Sequence, residues 1–325
     1  MGRLFLGIDT SNYTTSVSLY SPGVGVIANI KIPLPVEEGK RGLRQSDAVF
    51  SHIKNAPRAA EILKQHLSSA EGEITAVGFS ASPRRETGSY MPCFLVGEAI
   101  ARFIASSNDV TVYPLSHQEG HVAAAAYSAC GTYGSDLESF FCHPFLSFHV
   151  SGGTFDLLYV EPDEENIISI RRVGGTKDAC AGQIIDRTGV RMGMSFPCGV
   201  EMDALACGFD GTVKHDRICV QGLDCNISGL ENKAEDLLEN GVFKDEVSAY
   251  VLEHIARTVR KLTENAKNTY GDVPVLFAGG VMSSRFIKSR LEDLGMFASP
   301  EFSSDNAAGI AVLTSLLFRK EHNGT

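Results

Sequence analysis

The sequence predicts an α/β protein built from two similar halves, and three observations carry that reading. An apolar run, a small polar turn and two further strands occur from residue 3 and recur from residue 145. Around these runs lie segments with the 3.6-residue period of helices. A polar, glycine-rich stretch, CGTYGSDLES, breaks the chain near residue 135.

The elements follow in order. RLFLGID, from residue 3, reads as a strand ending on an aspartate. TSNYTT is a polar turn, SVSLY a second strand and, after SPG, GVGVIANIKI a third. A Rossmann start would instead run from the first strand through a glycine-rich turn directly into a helix. APRAAEILKQHL has helical periodicity and ITAVGFSAS reads as a buried strand. PCFLVGEAIARFIA is a helix with proline in its first turn. DVTVYPLS is a strand, and HVAAAAYSA a helix, because alanine has the strongest helix propensity.

In the second half FLSFHV, SGGT, FDLLYVE and NIISIRRV repeat the strand, turn, strand, strand theme. A mostly helical insertion covers residues 180–270. VPVLFAGG is a strand ending in two glycines, and SSRFIKSRLEDLG a helix with a serine at its cap. DNAAGIAVLTSLLFRK forms the final helix, acidic at its start and basic at its end, as the helix dipole favours. The expected domains are 1–130 and 131–325, with the final helix able to pack back on the first. Two similar halves imply a cleft between them, a common place for a ligand.

Composition narrows the function classes. The 325 residues are 43% hydrophobic and 21% charged, with 32 glycines, as in an ordered globular chain rich in tight turns. A net charge of -10 disfavours unaided binding to a nucleic-acid backbone. A local patch from Arg41, Arg44, Arg84 and Arg85, or a basic partner, would have to supply the positive surface. The start turns polar too early for a signal peptide, and no run reaches the ~20 apolar residues of a membrane span. The expectation is a cytoplasmic protein. Eight cysteines contain no CxxC pair, which argues against a zinc knuckle or a thioredoxin-like site.

Three strand-end turns offer anion chemistry. Asp9, Thr10 and Ser11 follow the first strand, and Asp9 suits a metal or a water. Val150, Ser151, Gly152, Gly153 and Thr154 follow the strand at 145, and Gly279 and Gly280 the strand at 273. Glycines there let backbone N–H groups approach anionic oxygen. The P-loop pattern GxxxxGK[ST] is absent. In SHQEGH, His117 and His121 stand four apart and share one helix face. Glu119 lies on another face, and the zinc-peptidase pattern needs its glutamate next to the first histidine. The spacing suits a metal pair and suits two solvated histidines as well. A third ligand must come from elsewhere, and Asp305, at the start of the final helix, is the natural candidate. Asp186 and Glu201 lie among small residues, where they suit ribose hydroxyls or solvent.

Together LGIDTSNYTTSV, HQEGH, VSGGT, GTKDACAGQIIDRTG, CGVEMDALA, ISGL, AGGVMSSRFI and SSDNAAGIA resemble the tRNA N6-threonylcarbamoyladenosine transferases. These were formerly labelled O-sialoglycoprotein endopeptidases. The pieces occur in the family's order and span nearly the whole chain. The resemblance implies a duplicated actin/Hsp70/sugar-kinase-like (ASKHA) fold. It implies one divalent metal, iron or zinc, held by His117, His121 and Asp305. It also implies an adenine nucleotide: ATP, AMP or threonylcarbamoyl-AMP. Val150 to Thr154 would line its phosphate, Asp186 and Gly199 would meet the ribose, and Gly279, Gly280 and Ser284 would lie at the adenosine. The implied reaction transfers threonylcarbamoyl to N6 of adenosine 37 in tRNAs reading ANN codons, with loss of AMP and no covalent nucleophile. The tRNA would be held through partner proteins, TsaB-like and TsaE-like subunits in a heteromeric complex.

Several positions depart from the family pattern. SASPRRETGSYMP replaces a PGPG-like turn, Thr154 stands at a histidine place, and Gln183 and Arg187 replace a glutamate and a lysine. Ser284 stands at an asparagine place, and GVEM replaces GPE. They touch the expected pocket and leave the metal triad intact, which suggests a divergent member or paralogue with a different acyl group or acceptor. Two other classes remain open: a nucleotide-binding scaffold assisting such a complex, and a kinase or ATPase of the same superfamily.

Overall fold

The computed structural model describes residues 2–11, 13–35, 43–213 and 216–323. Arg41 lies outside them. The elements run β1 (Arg3–Ser11), β2 (Thr14–Ser21), β3 (Gly25–Pro33), α1 (Gln45–Ser69), β4 (Glu73–Ser82), α2 (Phe94–Asn108), β5 (Thr111–Ser116) and α3 (His117–Tyr133). Then come α4 (Leu137–Phe141), β6 (Phe145–Val150), β7 (Phe155–Asp163), β8 (Ile167–Thr176), α5 (Ala181–Arg191), α6 (Gly199–Gly208), β9 (Cys219–Gln221) and β10 (Asp224–Asn226). The chain ends with α7 (Gly229–Glu239), α8 (Lys244–Tyr270), β11 (Val275–Ala278), α9 (Arg285–Leu291), β12 (Met296–Phe297) and α10 (Ala308–Asn323). None of the described helices is long and apolar enough to cross a membrane.

The chain divides into two compact units. The first holds residues 1–128, 163–168 and 304–325, and the second holds 129–162 and 169–303. In the first unit the sheet order is β3-β2-β1-β4-β5. β1, β2 and β3 form an antiparallel meander, while β4 and β5 run parallel to β1. Alternation along β1 decides its packing. Leu4, Leu6 and Ile8 join Ala59 and Leu63 of α1 and Ala101 and Ala105 of α2 in one core. Phe5 and Gly7 point the other way, to Phe318 and Ala311 of α10.

Two helices of this unit approach at glycines. A Cβ on Gly309 in α10 would strike the backbone of Gly120 and Ala124 in α3, and one on Gly120 would strike Ile310. The close approach brings the first turn of α3 to the segment that leads into α10. That segment is not helical. The final helix starts at Ala308, where Asn306 Oδ1 accepts from Ala308 N at 3.0 Å. Asp305, expected as its first residue, therefore precedes the helix and is free to point elsewhere. Likewise Pro92 lies just outside α2.

The second unit has a sheet of order β12-β11-β6-β7-β8-β10-β9. β6 and β7 are antiparallel, while β11 runs parallel to both β6 and β12. The long helix α8 presents Val247, Val251, Ile255, Val259 and Leu262 to the core that Phe148, Phe155 and Phe277 line. The strand, turn, strand, strand theme thus occurs once in each unit, as β1-β2-β3 and β6-β7-β8.

Replacing Gly309 by valine is expected to cost about 3 kcal/mol, because the added carbons meet backbone rather than a side chain that can move. Gly131, also in α3, has nothing within 4 Å of an added Cβ. Gly131→Ala is expected to be neutral or stabilising by roughly 0.5–1 kcal/mol. Urea midpoints of the two variants check this pair.

Candidate metal centre and strand-end turns

The candidate metal centre lies within the first unit, at the C-terminal ends of parallel strands. Asp9 is the third residue from the end of β1, Ser80 lies near the end of β4, and Ser116 ends β5. The start of α3 is fixed by a reciprocal cap. Ser116 Oγ accepts from Glu119 N at 3.2 Å, and Glu119 Oε2 accepts from Ser116 N at 2.6 Å. Arg85 donates to the same Glu119 carboxylate through Nε at 3.0 Å. The cap puts His117 and His121 on the first and second turns of α3, with their rings together.

Three ligand atoms converge there. Nε2 of His117 and Nε2 of His121 are 2.9 Å apart. Asp305 Oδ1 lies 3.3 Å from His121 Nε2 and 3.9 Å from His117 Nε2. One ligand atom from each of these residues fits within 4.8 Å of the others. Behind them, His117 Nδ1 donates to Asp9 Oδ2 at 2.7 Å. This fixes the tautomer and leaves the Nε2 lone pair for an ion. Two imidazoles and a carboxylate, one oriented by a buried second carboxylate, fit a divalent iron or zinc ion with open coordination positions.

Before an ion binds, electrostatics favour ionised Asp9 and Asp305 with a protonated His117, and a bound cation would take the place of the Nε2 proton. Burial alone would raise the Asp9 carboxyl. The His117 charge and hydrogen bonds from His117, Ser80 and Ser11 overcome it and hold the group far below the usual carboxylate range. Burial pulls the His117 imidazole down, but Asp9 beside it, with Asp305, pushes it up to about 9. Burial likewise raises Asp305, and the hydrogen bond and charge of His121 outweigh it, so Asp305 is lowered.

The remaining residues expected at the first turn separate by strand alternation. Asp9, expected to suit a metal or a water, lies behind His117: its oxygens accept from Ser11 N at 2.9 Å and Ser80 Oγ at 2.6 Å as well as from His117. Ser11 shares its face, and its hydroxyl is buried without a hydrogen-bond partner. Thr10 points to the opposite face. Its hydroxyl donates to Cys93 O at 2.9 Å and accepts from Gly97 N at 3.0 Å, tying β1 to α2. The structure does not bring Thr10 to the metal ligands.

In the second unit two turns lie side by side, because β6 and β11 pair in parallel with His149 opposite Ala278. Gly279 has φ +99°, and a Cβ there would strike the carbonyl of Val150. Only glycine fits both demands. The turn at Ser151 is partly self-satisfied. Ser151 Oγ accepts from Gly153 N at 3.3 Å and Thr154 N at 3.1 Å. Those two N–H groups, expected to face phosphate, are committed within the turn, while Gly152 and Gly153 stay exposed. Gly182 N, at the start of α5, donates to Ser151 O. Asp186 of α5 accepts from Cys198 N at 2.8 Å, which sets Gly199 at the head of α6. Glu201 is exposed one turn on. Gly280 opens a short 3-10 turn.

Asp203 was not anticipated. Buried on α6, it accepts from Ser284 Oγ at 2.5 Å, Phe286 N at 3.0 Å and Arg285 Nε at 3.2 Å. Ser284 Oγ also caps α9, accepting from Ile287 N at 3.1 Å. Its hydroxyl is thus occupied on both sides. The signal was present as a second acid, two residues after Glu201, in VEMDALA. Arg187 donates to Glu231; of the expected arginine patch, Arg85 is paired with Glu119.

The fold, with its repeated meander and strand-end turns, defines an α/β protein of the actin, Hsp70 and sugar-kinase class. Two solved structures support the fold alone. The chain matches component A of Acidaminococcus fermentans (R)-2-hydroxyglutaryl-CoA dehydratase with a TM-score of 0.53 and 16% identity, covering 99% of each chain. It matches full-length HypF, in its phosphate- and nucleotide-bound form, with a TM-score of 0.58 and 12% identity, covering 100% of this chain and 47% of that one.

A sequence profile described as TsaD: tRNA N6-adenosine threonylcarbamoyltransferase matches residues 27–312, and the chain belongs to that family. Two relatives bearing this name come from Streptococcus agalactiae serotype V and Streptococcus mutans serotype c. They are 28% and 27% identical, over 98% of this chain and 94% of theirs in both cases. The chain is a transferase enzyme.

The Asp203 cluster gives a pH-dependent prediction. Burial raises Asp203, but its donors, Ser284 first, hold it lowered. A lowered folded pKa adds stability that is present above the ordinary aspartate range and is lost as pH falls through the folded value. Asp203→Asn is expected to cost about 2 kcal/mol at pH 7. The gap to the parent should narrow at pH 3, as read from urea midpoints at both pH values.

Proposed function

We propose that this enzyme transfers a threonylcarbamoyl group from threonylcarbamoyl-AMP to N6 of adenosine 37 in tRNAs reading ANN codons, with one bound iron or zinc ion. The observation that carries the reading is the convergence of His117, His121 and Asp305, backed by Asp9, in a chain of this family. The name of the relatives supplies the acyl group and the acceptor class.

The chemistry is acyl transfer. A bond forms between the exocyclic amine nitrogen and the carbamoyl carbon, the bond from that carbon to the AMP phosphate oxygen breaks, and the amine loses a proton. A bound divalent ion supplies Lewis acidity and orients the acyl group. The chain's own residues do the rest. Asp9 keeps His117 in the tautomer that leaves Nε2 available. The unpartnered Ser11 hydroxyl offers a donor on the same strand face. The turns at Val150–Thr154 and Gly279–Gly280, with Asp186, Gly199 and Glu201, hold the adenine nucleotide. Exocyclic amines of adenine are weak nucleophiles, so positioning contributes much of the rate. An acidic chain leaves tRNA binding to partners of the TsaB and TsaE kind in a heteromeric complex.

The double occupation of the Ser284 hydroxyl favours a second reading. Ser284 is expected at the adenosine of the donor, so in this reading the reaction class is the same and the activated donor differs.

Elemental analysis of the purified chain is expected to find near-stoichiometric iron or zinc. His117→Ala and Asp305→Ala should lose it, and Asp9→Asn should bind it about 10- to 100-fold more weakly. A metal-free parent after anaerobic reconstitution would sink the mechanism. With metal present, mass spectrometry of nucleosides from tRNA incubated with threonylcarbamoyl-AMP and partners tests the acceptor. Threonylcarbamoyl-AMP left unconsumed by the metal-loaded parent with partners and tRNA would favour the second reading.

A further inference from the structure

Helix α1 carries one fully buried imidazole, His52. Its Nε2 lies 2.9 Å from the carbonyl oxygen of Ser11. A carbonyl only accepts, so Nε2 bears the proton. Nδ1, 2.8 Å from Thr15 Oγ1, is then the acceptor of the neutral ring, and the Thr15 hydroxyl donates to it. Asn55 Nδ2 donates in turn to Thr15 Oγ1 at 3.1 Å. Burial lowers the His52 pKa, in keeping with a neutral ring.

The hydrogen bonds form one directed chain. Asn55 donates to Thr15, Thr15 to His52, and His52 to the Ser11 carbonyl. From the other side of that residue, Ser11 N donates to Asp9 Oδ1 at 2.9 Å, while Asp9 Oδ2 accepts from His117 Nδ1 at 2.7 Å. Ser11 is thus held at its carbonyl by α1 and at its N–H by the carboxylate that orients a metal ligand.

We infer that His52 is a positioning residue for the metal centre. It holds the Ser11 backbone so that Asp9 meets His117 Nδ1 and His117 Nε2 is aimed at His121 and Asp305. The inference rests on the metal-dependent reading above. It makes α1, distant in sequence from all three ligands, part of the scaffold that sets their geometry.

Two substitutions separate positioning from packing. In His52→Gln the side-chain amide nitrogen replaces Nε2 and still donates to the Ser11 carbonyl. In His52→Asn the shorter amide occupies the place of Nδ1 and loses that contact. Both remove the ring. Affinity for Co(II), by competition with a chelator, and the visible absorption of the Co(II)-loaded protein are the readouts. His52→Asn is expected to bind Co(II) about tenfold more weakly, with shifted bands. His52→Gln is expected to keep the parent's spectrum, with affinity within about threefold. Parental affinity and spectrum in a folded His52→Asn, or equal loss in both variants, would overturn the inference. If His52→Asn does not fold, Thr15→Val decides. It removes the donor to Nδ1, and unchanged affinity and spectrum there would overturn the inference as well. A parent that binds no Co(II) overturns the metal-dependent reading itself and the inference with it; failure of the variants against a loaded parent overturns the inference alone.

Discussion

The hydrogen bond between Asp9 and His117 is the interaction on which the first unit's chemistry depends. A carboxylate with this little exposure is costly, several kcal/mol for an unpaired ion even after relaxation. Here it is held by three donors from three elements: Ser11 N in β1, Ser80 Oγ in β4 and His117 Nδ1 in α3. Each donor also has a positional consequence. Ser80 locks the ends of two neighbouring parallel strands. His117 must sit in the first turn of α3, which is where the reciprocal cap of Ser116 and Glu119 places it. The same bond ties Nδ1 to Asp9, so Nε2 of His117 faces His121 and Asp305.

The two units use their strand ends differently. In the first, the end of β1 is crowded with side chains that bond one another, and what is left over is one imidazole nitrogen and one serine hydroxyl. In the second, the ends of β6 and β11 are closed by glycines, and backbone comes close to backbone. Gly279 against Val150 is the sharpest case. A side-chain cluster suits a compact cation. Exposed glycine turns suit an extended anion such as a nucleotide phosphate, although Ser151 already takes two of the amides.

Much of this was legible in the sequence. The meanders were, because apolar runs and turn residues are local signals. The histidine pair was legible as a pair, since i and i+4 share a helix face whatever else the chain does. What made it a site was not local. Asp9 and His117 are 108 residues apart, and no pattern in either segment announces the other. Asp305 was placed on a helix because the apolar period begins nearby; Asn306 caps the helix instead and leaves Asp305 outside it. Two local signals went unused. The spacing of Ser116 and Glu119 is that of a capping box, yet Glu119 was read only as lying on another face. Alternation along β1 separates Thr10 from Asp9 and Ser11, and the strand read from residues 3–9 needs only its two further residues, Thr10 and Ser11, to show it.

The family departures gain a physical meaning from their partners. None falls on the metal ligands or on Asp9. Ser284 gives its hydroxyl to a buried aspartate and caps α9 with the same oxygen, so the position now joins α6 to α9 and is no longer free to meet a nucleoside. Arg187 is drawn to Glu231 of α7, and Arg85, from the altered loop, to Glu119. These three changed residues have each found a bond inside the protein. Unpaired polar groups left behind by a lost contact would have cost stability; these positions were instead tied up again. A pocket whose polar groups have been redirected inward discriminates among ligands by what it no longer offers, and loss of a hydrogen-bonding partner changes selectivity far more than a change of apolar contact does. In this chain the first unit bonds the side chains of the candidate metal centre to one another, while in the second unit Ser284 and Arg187 turn their polar groups inward.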